Sequence, residues 1–394
     1  MTRLGESDVL VAIVDWSCSS RAPDEDRRGR CPAPNMMATS NPMVTYVKVV
    51  LIVLLLAALS VEARAQQKRL PIIDMHMHAR TAHHYGPNPG PLCAPVEKMP
   101  TWDPARPFGE TLEKAEPLCK KPVHPATTDA EVLGQTMAVM KRHNIIGMLG
   151  GKPDLVAKWV GAAPGRFIAG LDFRLDRDGG TASAGGDSKG FEALSPQAMR
   201  ELHRKGSFSV LGEVLNQYGG IAPDDPRMEP YWALAEELDI PVGIHLGPGG
   251  PGEFYLGNKS YRARLQSALT MEEVLVRHPK LRVDLMHAGY PMLDDLLALL
   301  FSHPQVYVEV SMLVNVEPRA GFYRYLKAIV DAGYGERVMF GSDQMVWPGI
   351  IEPGIDAIQK APFLSVRQKR DIFYNNAARF LRLSPKEIAR HHAM

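Results

Sequence analysis

Eight short apolar runs, each followed by an amphipathic segment, make up most of the chain from residue 70 onward. Each run is rich in Val, Ile or Phe and is too short to form a helix, which favours a β-strand. The runs occupy residues 70–76, 144–150, 166–173, 208–214, 240–245, 281–287, 305–311 and 337–343.

The segments between these runs have the apolar spacing of helices that bury one face. They are Asp129–His143, Asp154–Ala163, Ser195–Gly206, Met228–Leu238, Leu265–His278, Met292–Ser302, Ala320–Ala332 and Ser365–Phe380. Eight strands alternating with eight helices is the count of a (β/α)8 TIM barrel. The alternative is a doubly wound open sheet, which normally has a glycine-rich turn after its first strand. The chain has HMHARTAHHYG at that point, so we predict an α/β fold of the TIM-barrel type.

The connection after the first strand runs to about Thr128, far longer than a usual loop in such a barrel. Loops at this end of the strands lie on the catalytic face, so we expect a lid or a wall of the pocket. Cys93 and Cys119 both lie in this proline-rich segment. A disulfide between them is favoured in an exported protein, with two free thiols as the alternative.

The N-terminal part has the pattern of an export signal. Lys48 precedes the apolar core Val49–Leu59, and Ala63-Arg64-Ala65 gives a small-x-small cleavage site. The core is shorter than the about 20 residues of a membrane span, which favours a cleaved signal peptide at 43–65 over a retained anchor. We therefore expect a periplasmic or secreted protein whose mature domain is 66–394.

Residues 1–42 precede this signal and show no periodic pattern. A signal peptide begins at its own methionine, so the true start is predicted at Met43, Met36 or Met37. We interpret residues 1–42 as a non-native or disordered extension.

The charges of the chain are balanced, with 45 Lys and Arg against 44 Asp and Glu. Such a balance, without a long basic run, does not favour nucleic acid as a partner. We expect a small-molecule substrate and no stable membrane association after signal cleavage. The sequence leaves a homodimer open.

Histidine and carboxylate side chains lie at the carboxyl ends of the predicted strands. They are His76 and His78 after the first, Glu213 on the fourth, His245 on the fifth, His287 on the sixth and Asp343 on the eighth. His76 and His78 share a face because side chains alternate along a strand. All strand ends meet at one mouth of a TIM barrel, and these residue types are ligands of zinc and similar ions. The pattern predicts a divalent-metal site, with Zn2+ favoured.

The runs IIDMHMH, GIHLG, DLMHAG, MFGSDQ and YNNAARFLRL resemble the amidohydrolase superfamily, specifically its amidohydrolase-2 branch. The resemblance covers residues 70–384 and implies a metal-dependent hydrolase or decarboxylase. By position it implies that His76 and His78 are the first-strand ligands. It further implies that His245, His287 and Asp343 are the fifth-strand ligand, the sixth-strand histidine and the eighth-strand aspartate.

Glu213 decides how many ions the resemblance implies. In the superfamily a fourth-strand carboxylate usually bridges or supports a second metal, and one-metal members leave the sixth-strand histidine free for catalysis. The alternative is that Glu213 only orients a ligand histidine. We favour two ions, or one tight and one weak.

The expected activity is hydrolysis of a small ester, lactone or amide by metal-activated water. Asp343 is the predicted proton acceptor, and His287, if it is not a ligand, polarises the substrate or stabilises the oxyanion. The first alternative is a metal-dependent decarboxylase, because this scaffold supports both chemistries. A non-catalytic binding protein is less favoured, because the full ligand set is present.

Three side chains just beyond strand ends are candidate substrate contacts: Arg174, Tyr218 and Trp347. Arg174 could pair with a carboxylate of the substrate or form a salt bridge with Asp172 or Asp176. Tyr218 and Trp347 could equally belong to loop packing.

Overall fold

The computed structural model describes residues 69–110, 118–175, 194–247 and 249–394. The predicted signal peptide and the segment before it lie outside these residues. The strands are β1 Ile72–His78, β2 Ile145–Gly150, β3 Phe167–Phe173, β4 Val210–Val214, β5 Val242–His245, β6 Val283–Met286, β7 Val306–Glu309 and β8 Val338–Met339.

The strands form one sheet in the order in which they occur along the chain, and each is parallel to the next. The residues after β8 return to β1. The Met75 amide donates to the Phe340 carbonyl at 2.8 Å, and the Asp343 amide donates to the His76 carbonyl at 2.7 Å. These bonds bring the first and last strands together in a nearly closed barrel, so the predicted TIM barrel is confirmed.

Helices surround the barrel. They are α1 Asp129–His143, α2 Pro153–Ala162, α3 Pro196–Arg204, α4 Glu229–Glu237, α5 Glu272–Arg277, α6 Leu293–Ser302, α7 Arg319–Ile329, α8 Ile351–Gln359, α9 Val366–Arg370, α10 Asn376–Phe380 and α11 Pro385–Ala393. Local signals explain several of their ends. Thr128 and Glu131 form a reciprocal capping box at the start of α1, and Asn144 ends it in the left-handed conformation.

The structure departs from the predicted helices in four places. The segment predicted as Leu265–His278 is α-helical only in α5, because two short 3-10 turns precede it. The segment predicted as Ser365–Phe380 is α9 and α10 joined by a π-helical turn. The sequence interpretation also missed α8 and α11.

The hydrophobic core lies between the outward side chains of the strands and the inner faces of the helices. Trp159, Trp232 and Phe322 are fully buried there. This packing leaves the polar side chains at the carboxyl ends of the strands as the lining of the mouth. No helix among the described residues is long and apolar enough to cross a membrane.

The long segment between β1 and α1 is attached to the loops around the mouth at several points. Cys93 and Cys119 form a disulfide. Leu92 pairs with Val123 in a short antiparallel bridge, and the Val96 amide donates to the carbonyl of Val316 after β7. We call residues 79–128 the insertion; it forms a wall along this side of the mouth.

The far end of the insertion reaches the loop after β5. A side chain at Gly252 would overlap the ring of Phe108, so this close approach requires a glycine, whose φ is +73°. Trp102 packs on Tyr255 with ring centroids 4.6 Å apart. An aromatic cluster therefore closes the insertion against the β5 loop.

Candidate metal centre

The six predicted ligands meet at the carboxyl end of the barrel. Each has a relative exposure of 6% or less; they are His76, His78, Glu213, His245, His287 and Asp343. Their donor atoms form two groups that share Glu213.

The first group, which we call site A, contains His76 Nε2, His78 Nε2, Asp343 Oδ1 and Glu213 Oε2. The two histidine nitrogens are 3.0 Å apart, and Asp343 Oδ1 is 3.1 Å from His78 and 3.8 Å from His76. Glu213 Oε2 lies 3.6 Å from His76 and 3.4 Å from His78. Ligand atoms around a tetrahedral zinc are about 3.3 Å apart, given metal–ligand distances of about 2.0–2.1 Å. The spacing of site A fits a divalent ion.

The second group, site B, contains Glu213 Oε1, His245 Nδ1 and His287 Nε2. Glu213 Oε1 is 2.6 Å from His245 Nδ1 and 3.5 Å from His287 Nε2. The two histidine nitrogens are 3.0 Å apart. One oxygen of Glu213 thus faces each site, which is the placement of a carboxylate that bridges two ions.

Polar groups behind three of the histidines determine which ring nitrogen faces the sites. His76 Nδ1 donates to Glu309 Oε1 at 3.0 Å, and His287 Nδ1 donates to the Ser311 carbonyl at 3.2 Å. His78 Nδ1 lies 3.4 Å from Asp172 Oδ2. A hydrogen on each Nδ1 leaves the lone pair of Nε2 directed into the centre, as metal binding requires.

Backbone contacts hold β1 and the end of β8 in register. Gln344 accepts from the His78 amide at 3.0 Å and donates to the His78 carbonyl at 2.7 Å. Asp74 Oδ1 accepts from the amides of His76 and Ser342 at 3.1 and 2.9 Å. These bonds set His76, His78 and Asp343 relative to one another.

Left-handed backbone conformations cluster at the same ends of β6, β7 and β8. The residues are His287, Ala288, Met312, Asp343 and Met345, with φ between 45° and 61°. Such conformations cost about 1–3 kcal/mol for a residue other than glycine and typically occur at functional sites. Here they aim His287 and Asp343 into the mouth.

The electrostatic environment favours a bound cation. Burial lowers the pKa of His76, but Asp343 and Glu213 outweigh it and raise that pKa well above its usual range. Burial and Arg80 lower the pKa of His78, but Asp172 and Asp343 outweigh them and raise it to about 10. Burial raises the pKa of Asp343 and of Glu213, yet His76 and the other histidines bring both well below their usual values.

Two observations show that the residues fit a divalent ion. Asp343 Oδ1 is buried without a hydrogen-bond partner among the described residues and points into site A. The Nε2 lone pairs of His76 and His78 face each other at 3.0 Å, an arrangement that a shared cation stabilises. The histidine, glutamate and aspartate groups could therefore hold divalent metal.

The predicted substrate contacts lie around this centre in different ways. The guanidinium of Arg174 lies 5.9 Å from the centroid of the Tyr218 ring, and that ring is 4.8 Å from the His245 ring. Trp347 stacks on Tyr85 at 5.4 Å and donates from Nε1 to the Gly90 carbonyl at 3.0 Å. Arg174 and Tyr218 thus border site B, whereas Trp347 supports the insertion.

Several residues of the centre were missed or left undecided by the sequence interpretation. Asp172, considered only as a partner of Arg174, pairs with Arg80 at 2.7 Å. Its Oδ1 also accepts from the Glu213 amide at 2.8 Å. Asp172 lies at the end of the third apolar run, so the rule that found the other strand-end residues could have found it. Glu309 was not among the predicted site residues, although it lies on the seventh apolar run, and in the structure its side chain faces inward to His76.

The chain is similar to several solved structures. An uncharacterised TIM-barrel protein from Bordetella bronchiseptica is 18% identical, with a TM-score of 0.52 over 81% of this chain and 100% of its own. The 5-carboxyvanillate decarboxylase of Sphingomonas paucimobilis is 16% identical, with a TM-score of 0.47 over 81% and 100%. A probable 2-pyrone-4,6-dicarboxylic acid hydrolase from Acinetobacter baumannii is 14% identical, with a TM-score of 0.48 over 79% and 99%. No curated protein matches the chain.

The sequence model of the amidohydrolase family matches residues 73–383, which is most of the chain and includes all six candidate ligands. The chain is therefore an enzyme of the amidohydrolase family, of the amidohydrolase-2 branch.

Proposed function

We propose that the protein is a metal-dependent hydrolase that acts with activated water on a small ester, lactone or amide. The observation that supports this most is the position of Glu213, whose two oxygens face two separate groups of buried ligands. Two adjacent ions are typical of hydrolytic centres that polarise the substrate and activate water together.

In this proposal the chain holds its ions through the residues of sites A and B. His76, His78 and Asp343 would hold one ion, His245 and His287 would hold the other, and Glu213 would offer one oxygen to each group. Bound there, divalent ions, with Zn2+ favoured, would supply Lewis acidity and make water acidic enough to ionise near neutral pH. If only one ion binds, His287 remains a free imidazole that can polarise the substrate.

Asp343 is the proposed proton acceptor. Its Oδ1 faces site A, which leaves Oδ2 to take the proton of the attacking water and return it to the leaving group. The nearby histidines keep the pKa of Asp343 low, against the effect of burial. The carboxylate is therefore ionised when the water attacks.

The remaining walls define the space for the substrate. Arg174 and Tyr218 border site B, and the insertion, with Tyr85 and Trp347, borders the other side. We assign substrate contact to Arg174, Tyr218 and Trp347. Because the insertion is attached to the loops after β5, β7 and β8, this wall favours small substrates over polymers.

We also propose that the protein is exported and processed near Gln66. The disulfide between Cys93 and Cys119 supports an oxidising compartment. N-terminal sequencing of the exported protein tests this, because a protein that retained residues 1–42 would contradict it.

The function is tested by metal analysis and turnover together. The metal-loaded protein is assayed on lactones, esters and amides and, in parallel, on hydroxybenzoate-type acids with CO2 release monitored. His76→Ala should lose both metal and activity, because it removes a ligand from site A. His83→Ala should retain both, since His83 lies exposed in the insertion and hydrogen-bonds the Pro87 carbonyl.

The outcomes separate the candidate functions. Hydrolysis that disappears in His76→Ala supports the proposal. CO2 release without hydrolysis identifies a decarboxylase instead. A protein that binds metal and substrate analogues but turns over nothing would be the binding protein that the sequence left as an alternative.

A further inference from the structure

Tyr85 brings a hydroxyl group from the insertion to the loop after β8, two residues from Asp343. Its ring is half-buried and stacks on Trp347, with centroids 5.4 Å apart and planes inclined by 30°. Its hydroxyl donates to the sulfur of Met345 at 2.7 Å. Met345 follows Asp343 by two residues and has a left-handed φ of 45°, so Tyr85 is held beside the end of β8 that carries Asp343.

Arg80 connects the same hydroxyl to Asp172 and so to His78. The guanidinium donates a hydrogen bond to the Tyr85 oxygen and pairs with Asp172 at 2.7 Å. Asp172 in turn lies 3.4 Å from Nδ1 of His78. The position of the Tyr85 hydroxyl is thereby fixed relative to the proposed ligand His78.

The hydrogen-bonding state of Tyr85 suits it to donate. A guanidinium has only donors, so Arg80 occupies a lone pair of the phenol oxygen and leaves the phenol proton for an acceptor. The acceptor in the structure, the Met345 sulfur, belongs to a thioether, which is a weak acceptor. Burial raises the pKa of Tyr85, and the charges of Asp343 and Glu213 raise it further, whereas Arg80 lowers it. The net effect is a raised pKa, so the proton stays on the hydroxyl.

We propose that Tyr85 is a further catalytic residue, whose hydroxyl leaves Met345 and donates a hydrogen bond to the substrate oxygen that becomes negative at the metal centre. The donation from Arg80 polarises the phenol and strengthens this bond. The inference rests on the proposed function, since it needs a substrate oxygen that gains charge. It gives the insertion a chemical role in addition to that of a wall.

The experiment uses inorganic phosphate as a tetrahedral anion, and calorimetry on the Zn2+-loaded protein measures its affinity. Tyr85→Phe should bind phosphate about 10-fold more weakly, in line with the loss of one hydrogen bond to a charged group. Its metal content and thermal midpoint should stay at the wild-type values. Tyr255→Phe is the matched control, because Tyr255 is exposed in the aromatic cluster with Trp102, and its affinity should not change.

A second variant separates donation from packing. Met345→Leu removes the sulfur that now accepts from Tyr85, but it leaves the hydroxyl available to an anion. If the tyrosine serves only to pack the insertion through Met345, then Met345→Leu and Tyr85→Phe will weaken phosphate binding equally. The proposal predicts a loss in Tyr85→Phe alone.

Kinetics give an independent measure once a hydrolysed substrate is known. Tyr85→Phe should lower kcat by about 10²-fold with a much smaller change in KM, because the bond forms chiefly in the transition state. Equal phosphate affinity in wild type and Tyr85→Phe, or no phosphate binding by the metal-loaded wild type, would overturn the inference. A lack of hydrolysis would instead contradict the proposed function, because phosphate binding needs no turnover.

Discussion

Nε2 of His76 lies 3.0 Å from Nε2 of His78, while the Nδ1 atom of each ring is turned towards a carboxylate. Two lone pairs directed at one point repel each other unless a cation lies between them. The carboxylates of Glu309 and Asp172 hold the rings in this orientation and strengthen both nitrogens as donors. His76 and His78 therefore present two oriented nitrogen ligands to site A.

Glu309 should control metal affinity without touching the metal. Its Oε1 accepts from His76 Nδ1 at 3.0 Å and from the His287 amide at 2.9 Å. In Glu309→Gln the weaker acceptor should reduce metal affinity by about 10–100-fold, measured by competition with a chelator. Glu236→Gln is the matched control. Glu236 accepts from His278 Nδ1 with a distance of 3.1 Å, and this pair is not part of the metal centre. Equal affinities in the two variants would contradict an orienting role for Glu309.

Asp343 should matter more for the rate than for metal binding. In Asp343→Asn the amide still offers an oxygen to site A but cannot accept a proton from water. We expect metal content to fall only partly and kcat to fall by about 10²-fold or more. The control is Asp356→Asn, since Asp356 is exposed and pairs with Lys360 at the end of α8. Wild-type turnover by a fully metallated Asp343→Asn protein would show that this hydrolytic mechanism is wrong.

His391 should make the stability of the barrel depend on pH. It is buried in α11, and its Nδ1 accepts from the Tyr374 hydroxyl at 3.1 Å. Burial, with Arg390, lowers the pKa of His391 from 6.5 to about 4. Between these values the unfolded chain binds the proton and the folded one does not, so the free energy of unfolding falls as the pH drops from 6.5 to 4.

Denaturant unfolding at pH 7 and pH 5 measures this effect. His391→Gln should lose less stability between the two pH values than the wild type does. His392→Gln, which changes the exposed neighbour, should lose as much as the wild type. Equal losses in the two variants would exclude His391 as a source of the pH dependence.

The disulfide should stabilise the insertion and the barrel to which it is attached. Cys93 and Cys119 are separated by 26 positions. Closing a loop of that size lowers the entropy of the unfolded chain, which stabilises the folded protein by about 3 kcal/mol in the chain-entropy model. Cys93→Ser with Cys119→Ser should lower the free energy of unfolding by about that amount in urea. Two titratable thiols in the unreduced, exported protein would show that the bond does not form.

The barrel and its ligand positions were predictable because both follow from local rules. Apolar runs alternating with helical patterns define the fold, and His76, His78, His245 and His287 fall where strands end. The family match over residues 73–383 confirms the resemblance on which the assignments drew.

Features that depend on contacts distant in sequence were not predictable from these rules. Glu309 contacts His76 across 233 positions, and no local pattern reports which way its side chain faces. Tyr85 likewise meets Met345 only after the insertion has folded back across the mouth, a separation of 260 positions. The missed helix α8 contains Pro353 and Gly354, and both residue types have low helix propensity, so its sequence does not indicate a helix.

The number of metal ions per chain tests the central claim most directly. Elemental analysis of the metal-saturated protein should give two ions per wild-type chain and about one in Glu213→Gln, because the amide cannot serve both sites as the carboxylate does. One ion in the wild type, unchanged in Glu213→Gln, would contradict the two-ion centre and leave Glu213 as a group that only orients His245.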